Sequence, residues 1–196
     1  DMSRVYEVGL LRTPTDVSVV PWAGPHPYPS SNPTQTCRWT TFRVGDKSAA
    51  MCVHTQADVV SDEIVKSGRW GDCDILTRLW SEKSGPSGIY VEIGTNIGAC
   101  VMVMLLTTDA REIVVFEPNP VNLFCLTSTL LRQVDGDRVT VWPVALGEQR
   151  SQTVIYGATH NMGNSVVGKA VSDYPNQRFE LPTPVIVERY DRLVSN

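Results

Sequence analysis

The chain has 196 residues, 42% of them hydrophobic and 19% charged, which suits one substantial buried core and leaves little room for two full domains. A formal charge of -4 with no basic run argues against a nucleic-acid partner. No apolar run reaches the roughly 18 residues that a membrane span needs. The sequence opens on Asp1 rather than Met, which fits a processed start and leaves the compartment open.

Residues 1–36 crowd Pro21, Pro25, Pro27, Pro29 and Pro33 together, the composition of an extended arm. Such an arm is solvated by default, with wrapping of the core or contact with a partner as the alternative. Trp39 to Val44 and Ala49 to His54 read as a small hairpin turning at Gly45-Asp46. Arm and hairpin make up residues 1–56, and the main domain is expected over 57–196. Ala57 to Lys66 reads as a helix with Val59, Val60, Ile64 and Val65 on one side and Gly68 as its stop. Asp72 or Asp74 caps a second helix carrying Ile75, Leu76, Leu79 and Trp80 at helical spacing. Trp70 and Trp80 suit core packing better than a ligand platform. Ser84 to Gly88 is a chain breaker.

The centre of the chain follows. Tyr90 to Ile93 is a short apolar run interrupted by Glu92, and it breaks into the turn Gly94-Thr95-Asn96-Ile97-Gly98. Ile97 to Leu106 is nearly all apolar, and a second apolar run, Ile113 to Phe116, ends at Glu117. Strand, glycine turn, buried helix and strand form the first unit of an open, doubly wound, mostly parallel sheet. Asn119 with Pro120 then starts a helix whose apolar residues run from Val121 to Leu131, with Gly136 closing it. Val139 to Trp142 is a third strand, and Gln152 to Tyr156 a further strand at an edge. Gly157 to Val171 reads as a long loop, Pro184 to Val187 as a final strand, and Glu188 to Leu193 as the start of a helical turn.

The five cysteines and three histidines form no metal pattern. Cys100 and Cys125 fall in buried helices and read as small hydrophobes. Cys37, Cys52 and Cys73 leave one disulfide open if the compartment is oxidising. Against a secretory route, no Asn-x-Ser/Thr acceptor occurs.

Gly94 and Gly98 let the backbone bend sharply toward a ligand and leave the amides at the start of the next helix free to donate. The spacing Gly94-x-Asn96-x-Gly98 lacks the Gly-x-Gly-x-x-Gly that seats a pyrophosphate, which disfavours a nicotinamide cofactor. Glu92 at the strand mouth would repel a pyrophosphate and attract an ammonium. Glu117, 23 positions after Gly94, is placed to accept the hydroxyls of a ribose. A ribose at one end and an ammonium at the other describe S-adenosylmethionine. The plainer alternative is that both acids cap loops or pair with Arg111 or Arg132.

These residues resemble a known family. Val91 to Gly98 is similar to the Asp-x-Gly-Ala-Asn-Ile-Gly signature of FkbM-type methyltransferases, and Phe116 to Pro120 to that family's second-strand signature. Val144 to Gly147 resembles its third-strand end, Asn161 to Ser165 its Gly/Asn/Ser loop, and Val187 to Leu193 its Leu-Asp-Asp-Leu stretch. The resemblance covers residues 58–194, including Asp58 to Ser61 and Gly68 to Trp70. It implies a class I, Rossmann-like methyltransferase fold, S-adenosylmethionine as donor, and O-methylation of a hydroxyl on a sugar, glycan or small metabolite. Glu92 stands where the family more often has aspartate. A later family strand, ending Lys-Ile-Asp-Val-Glu-Gly, does not occur in this chain, so the resemblance implies an apolar sheet edge for a protein partner or a C-terminal segment to cover.

The expected donor residues are Glu92, Gly94, Thr95, Asn96, Gly98, Glu117 and Asn119, with Ala145 near the adenine by resemblance. His160, in the loop from Gly157 to Val171, is the candidate general base toward an alcohol, though a lone loop histidine is more often just solvated. Two other functions compete with methyl transfer. One is a non-catalytic domain of the same build acting as a structural or interaction subunit; the other is an NAD-dependent oxidoreductase.

Overall fold

The computed structural model describes residues 18–83, 88–168, 178–179 and 182–194. The breaker at 84–87, the arm before residue 18 and the loop end at 169–171 lie outside them. Strands β1 (Arg38–Val44) and β2 (Lys47–Val53) pair antiparallel around Gly45-Asp46, as the sequence predicts. Helix α1 (Val59–Ser67) starts at Asp58, whose side chain accepts from Ser61 N. It stops at Gly68, left-handed at φ 78°, whose N–H bonds Ile64 O. The stripe expected on α1 is narrower than its four residues: Val60 and Ile64 are buried, while Val59 and Val65 are exposed. A 3-10 turn (Gly71–Cys73) leads to α2 (Leu76–Lys83), where Leu76 and Trp80 pack on the core and Ile75 and Leu79 face outward.

The central unit is β3 (Ile89–Ile93), α3 (Ala99–Thr107), β4 (Glu112–Phe116), α4 (Pro120–Leu130) and β5 (Val139–Trp142). Its three strands form a parallel sheet in the order β3-β4-β5. Both helices are apolar on nearly every side because they are buried nearly all round. Asn119 caps α4 through Val121 N, with Pro120 at the first position. Gly136 does not close α4; the helix ends at Leu130, and Gly136 opens a separate 3-10 turn (Gly136–Arg138).

Beyond β5 the chain builds a second sheet. It comprises β6 (Ala145–Leu146), β7 (Ser151–Tyr156), β8 (Val166–Val167) and β9 (Thr183–Glu188), in the order β6-β9-β7-β8. β6 runs parallel to β9, and β7 is antiparallel to both its neighbours. The strand at 152–156 is therefore interior to its sheet rather than at an edge, because β8 and β9 pair on its two sides. The expected long loop contains β8 and a 3-10 turn (Met162–Asn164), and α5 (Tyr190–Leu193) is the predicted final helical turn. The fold is α/β, with a parallel three-stranded sheet, a mixed four-stranded sheet and packed helices.

One core cluster joins the hairpin (Phe42, Met51, Val53) to α3, α4 and β4. The described part of the arm is largely exposed on its outer side, yet it does not hang free, because three polar contacts strap it to that core. Trp22 N donates to Val141 O at 2.7 Å, Tyr28 N to Thr127 Oγ1 at 2.8 Å, and Gln35 Nε2 to Val121 O at 2.8 Å. Thr127 and Thr129 are fully buried on α4 and serve as docking points; Thr129 Oγ1 accepts from Cys52 N at 2.9 Å. A buried backbone N–H must find a partner, and these hydroxyls supply one each.

The cysteines correct the sequence reading. Cys37–Cys52 and Cys73–Cys100 are disulfides, and Cys125 is free and buried. Cys100 is thus a bridge partner and not a plain hydrophobe, because α3 brings it against the Gly71–Cys73 turn.

The second face of the parallel sheet is covered unevenly. Val114, Phe116 and Val144 are buried there beneath Leu146, Ile186 and Leu193. β3 stands at the sheet edge, and on it Ile89, Val91 and Ile93 (66% exposed) face outward. No helix of the described residues is long and apolar enough to cross a membrane.

Candidate functional site

The turn after β3 is seated on the end of β4. Gly94, Asn96 and Gly98 are all left-handed, at φ 77°, 54° and 88°. Asn tolerates that region better than most side chains. Gly94 N and Thr95 N both donate to Phe116 O, at 2.9 and 3.3 Å, and Gly98 N to Thr95 O at 2.9 Å. Asn96 N donates to Glu117 Oε2 at 2.7 Å. Four of the five amides of the turn, all but that of Ile97, are therefore taken within the protein, and recognition of a ligand beside it falls mainly to side chains.

Glu117 is 4% exposed and ties two loops together, since its second oxygen accepts from Asn119 N at 2.8 Å. Of the roles weighed from sequence, loop capping is the one its oxygens already perform. Neither Glu117 nor Glu92 forms an ion pair among the described residues, and Arg132 instead stacks over Trp39 at 3.7 Å. Each carboxylate oxygen has two lone pairs, so capping leaves acceptor capacity toward a ligand. Burial pushes the Glu117 carboxyl up to about 7, against the lowering effect of the Asn119 and Asn96 amides and the Asn122 side chain.

Glu92 is half-buried, and Tyr90 Oη donates to its Oε2 at 3.1 Å. Burial pushes it up to about 7 as well, the neighbouring Glu117 charge adding to this while Tyr90 and Thr95 oppose it. Tyr90 is pushed up by burial and by the charge and hydrogen bond of Glu92. Thr95 lies near enough to Glu92 to favour its ionised form, but Oγ1 forms no aligned hydrogen bond and is buried without a partner. Asn96 Oδ1 is likewise buried without a partner. Two orphaned oxygens at one turn are unusual, since nearly all buried polar atoms are satisfied.

Two cavities flank the turn and share Gly94, Asn96 and Gly163 in their walls. One, of about 260 Å³, is mainly apolar, with Phe116, Val144, Ala145 and Met162 around Glu117. The other, of about 390 Å³, is polar, with Glu92, Thr95, Asp72, Asn161 and Asn164 beside Trp70. Together they match the size and mixed lining of small-molecule sites. The loop that closes them is held by Asp58, which is 1% exposed and accepts from Met162 N at 2.8 Å. A Cβ at Gly163 would stand a tight 3.2 Å from both Asn161 Oδ1 and Asn96 Nδ2, so a larger residue there requires those side chains to give way.

Six of the sequence-derived residues meet at the groove: Glu92, Gly94, Thr95, Asn96, Glu117 and Ala145. Three do not line it. Gly98 is buried against Leu126, and Asn119 caps α4 with Oδ1 while its Nδ2 donates to Ser165 Oγ at 3.3 Å. His160 is exposed, left-handed at φ 66°, and joined to the fold through its backbone, where its carbonyl accepts from Val59 N at 2.9 Å. Sequence reasoning missed Asn122, Asp72 and the clamp by Asp58; the one available signal was Asp58 in a helix-capping position. No group of His, Cys, Asp and Glu able to hold a metal occurs among the described residues.

The fold and site define an α/β domain with a two-part groove at the carboxyl ends of parallel strands. No family model matches the chain, and neither does any curated protein or solved structure, so the methyltransferase resemblance rests on its short motifs alone.

Proposed function

We propose that the chain is an S-adenosylmethionine-dependent methyltransferase of Rossmann-like, FkbM-like type that O-methylates a hydroxyl of a sugar or small metabolite. The observation that carries the reading is the division of the groove by the glycine turn, with Glu117 in the apolar half and Glu92, beside Asp72, in the polar half. Ligands of open α/β sheets bind outside the carboxyl ends of the strands, where this groove lies. The apolar half suits an adenine near Ala145 and Val144, with the remaining lone pairs of Glu117 facing ribose hydroxyls. The polar half suits an amino-acid end, with ionised Glu92 opposite an ammonium. Asn96 Oδ1 and Thr95 Oγ1, orphaned in the groove wall, fit donors of a bound molecule.

When bound, the donor supplies an electrophilic methyl group; the chain contributes alignment and exclusion of water. A hydroxyl acceptor also needs a proton sink, and with Glu92 opposite the ammonium the remaining carboxylate of the polar half is Asp72. The exposed apolar side of β3 suits a covering protein partner or further segment. A second reading, donor binding without transfer, is favoured by the placement of His160 outside the groove. Calorimetry with S-adenosylmethionine and S-adenosylhomocysteine tests the first step. Micromolar binding lost in Glu117→Ala supports the reading, and no heat with either ligand removes it. Turnover with hydroxyl acceptors then separates the two readings.

A further inference from the structure

Behind Glu117 a line of buried polar side chains runs from the core to the groove. Asn122, on the first turn of α4 and 2% exposed, lines the apolar cavity beside Glu117. Its Oδ1 lies 3.0 Å from Nε2 of His54, which is fully enclosed just after β2. Nδ1 of the same imidazole lies 3.7 Å from Cys125 Sγ, and Gln35 Nε2 donates to that sulfur at 3.6 Å.

Donor and acceptor chemistry sets the protons along this line. The amide nitrogen of Gln35 can only donate, so the sulfur accepts there and turns its S–H toward His54 Nδ1. An imidazole that accepts at Nδ1 carries its proton on Nε2, which donates to Asn122 Oδ1. With its oxygen engaged there, Asn122 keeps its NH₂ for Glu117, which shares its cavity wall and whose ionised form the Asn122 side chain favours. Every donor then points one way, and the line ends on a carboxylate that accepts.

We propose that His54 is a positioning residue for the groove: by fixing the amide of Asn122 it aims an N–H at Glu117 and holds that carboxylate where a ligand hydroxyl meets it. The functional meaning rests on the donor-binding reading above, whereas the structural claim does not. Burial is the main influence on Glu117, and the Asn122 side chain is one of the three groups that oppose it. The ionisable groups that act on this line are Glu92, coupled to the Glu117 charge, Tyr90 beside it, Asp58, whose charge raises the Cys125 thiol, and Cys125 itself, whose thiol burial pushes up to about 12.

The test is a carbon NMR titration of the Glu117 carboxyl in the full chain with both disulfides intact, its resonance assigned by Glu117→Gln. His54→Leu and Asn122→Ser should each lower the acid dissociation constant of Glu117 by about threefold or more, because an opposing hydrogen bond is lost. His54→Gln, which offers an N–H to Asn122 and a carbonyl to the thiol, should titrate like the wild type. A merely structural role for His54 would change stability without moving this titration. An unmoved midpoint in His54→Leu overturns the proposal; if that variant does not fold, Asn122→Ser with His54→Gln decides it in the same way. Calorimetry with S-adenosylhomocysteine on the same proteins separates the two claims. Absence of wild-type binding removes the donor reading, while a moved titration still upholds the placement of His54.

Discussion

Replacing Gly98 by alanine measures how much of the site depends on seating the turn against α4. At φ 88° an L side chain is strained by about 1–2 kcal/mol. A Cβ there would also stand 2.5 Å from Leu126 Cδ1. Leu126 is 1% exposed within the core, so it cannot swing into solvent, and overpacking of this kind costs about 1–3 kcal/mol. The expected loss is about 2–5 kcal/mol, a large share of the roughly 5–15 kcal/mol by which a domain is stable. Gly94→Ala is the internal control. It carries similar strain at φ 77° but meets nothing within 4 Å, so it should lose only about 1–2 kcal/mol. Urea unfolding with the disulfides intact, followed by tryptophan fluorescence, reads both values. The double variant Gly98→Ala with Leu126→Ala separates strain from crowding. Leu126→Ala alone costs about 2–5 kcal/mol, but the space it vacates admits the new Cβ, so the pair should couple favourably by about 1–3 kcal/mol. Equal losses at the two glycines, or a strictly additive double variant, would refute the reasoning.

Other outcomes follow from the same geometry. With its folded pKa raised to about 7, Glu117 favours the folded state fully below the unfolded carboxyl range; that contribution is lost as pH rises from about 4.5 through 7, by up to about 3 kcal/mol. Glu117→Gln should flatten that part of a stability-against-pH curve, and an unchanged slope would contradict the burial of its charge. Removing the Cys73–Cys100 bridge, which spans 27 residues, by double serine substitution should cost about 3–4 kcal/mol of unfolding free energy in a denaturant titration. Indifference of wild-type unfolding to reductant would argue against either bridge. Asp58→Ala removes a helix cap worth about 1 kcal/mol and leaves Met162 N unpaired for about 1–3 kcal/mol more, with Asp58→Asn recovering part. Equal stability of all three proteins would disprove the clamp.

The central unit was legible because its signals are local. An apolar run, two glycines, a Pro at the first helical position and an acid at each strand end lie within about 30 residues, and β3, α3, β4 and α4 form there. The hairpin was legible for the same reason, through Gly45-Asp46. What escaped depends on contacts distant in sequence. The strap of the arm and the seating of the hairpin rely on Thr127 and Thr129 respectively, which read as minor polar interruptions of an apolar helix. The bridge of Cys100 depends on where α3 meets the Gly71–Cys73 turn, and spacing does not encode that meeting. The strand at 152–156 had the right residues, but its sheet was misread, because pairing partners are not written in an alternating pattern. At the site, the residue types pointed to a groove, whereas Gly98, Asn119 and His160 could be sorted out of its lining only by seeing what each side chain already bonds.

The two bridges join cysteines that are consecutive along the chain, Cys37 with Cys52 and Cys73 with Cys100, and the fifth, Cys125, comes last. For a polypeptide emerging amino end first into an oxidising lumen, each thiol thus meets its proper partner before the next pair appears. The hairpin can close its bridge while α4 is still being made, and the odd thiol arrives when the others are already joined. Its later enclosure beside His54 then removes it from exchange. Oxidative maturation of this chain accordingly needs little reshuffling, and a mixed-disulfide ladder is the outcome expected only if it is refolded as a complete, reduced polypeptide.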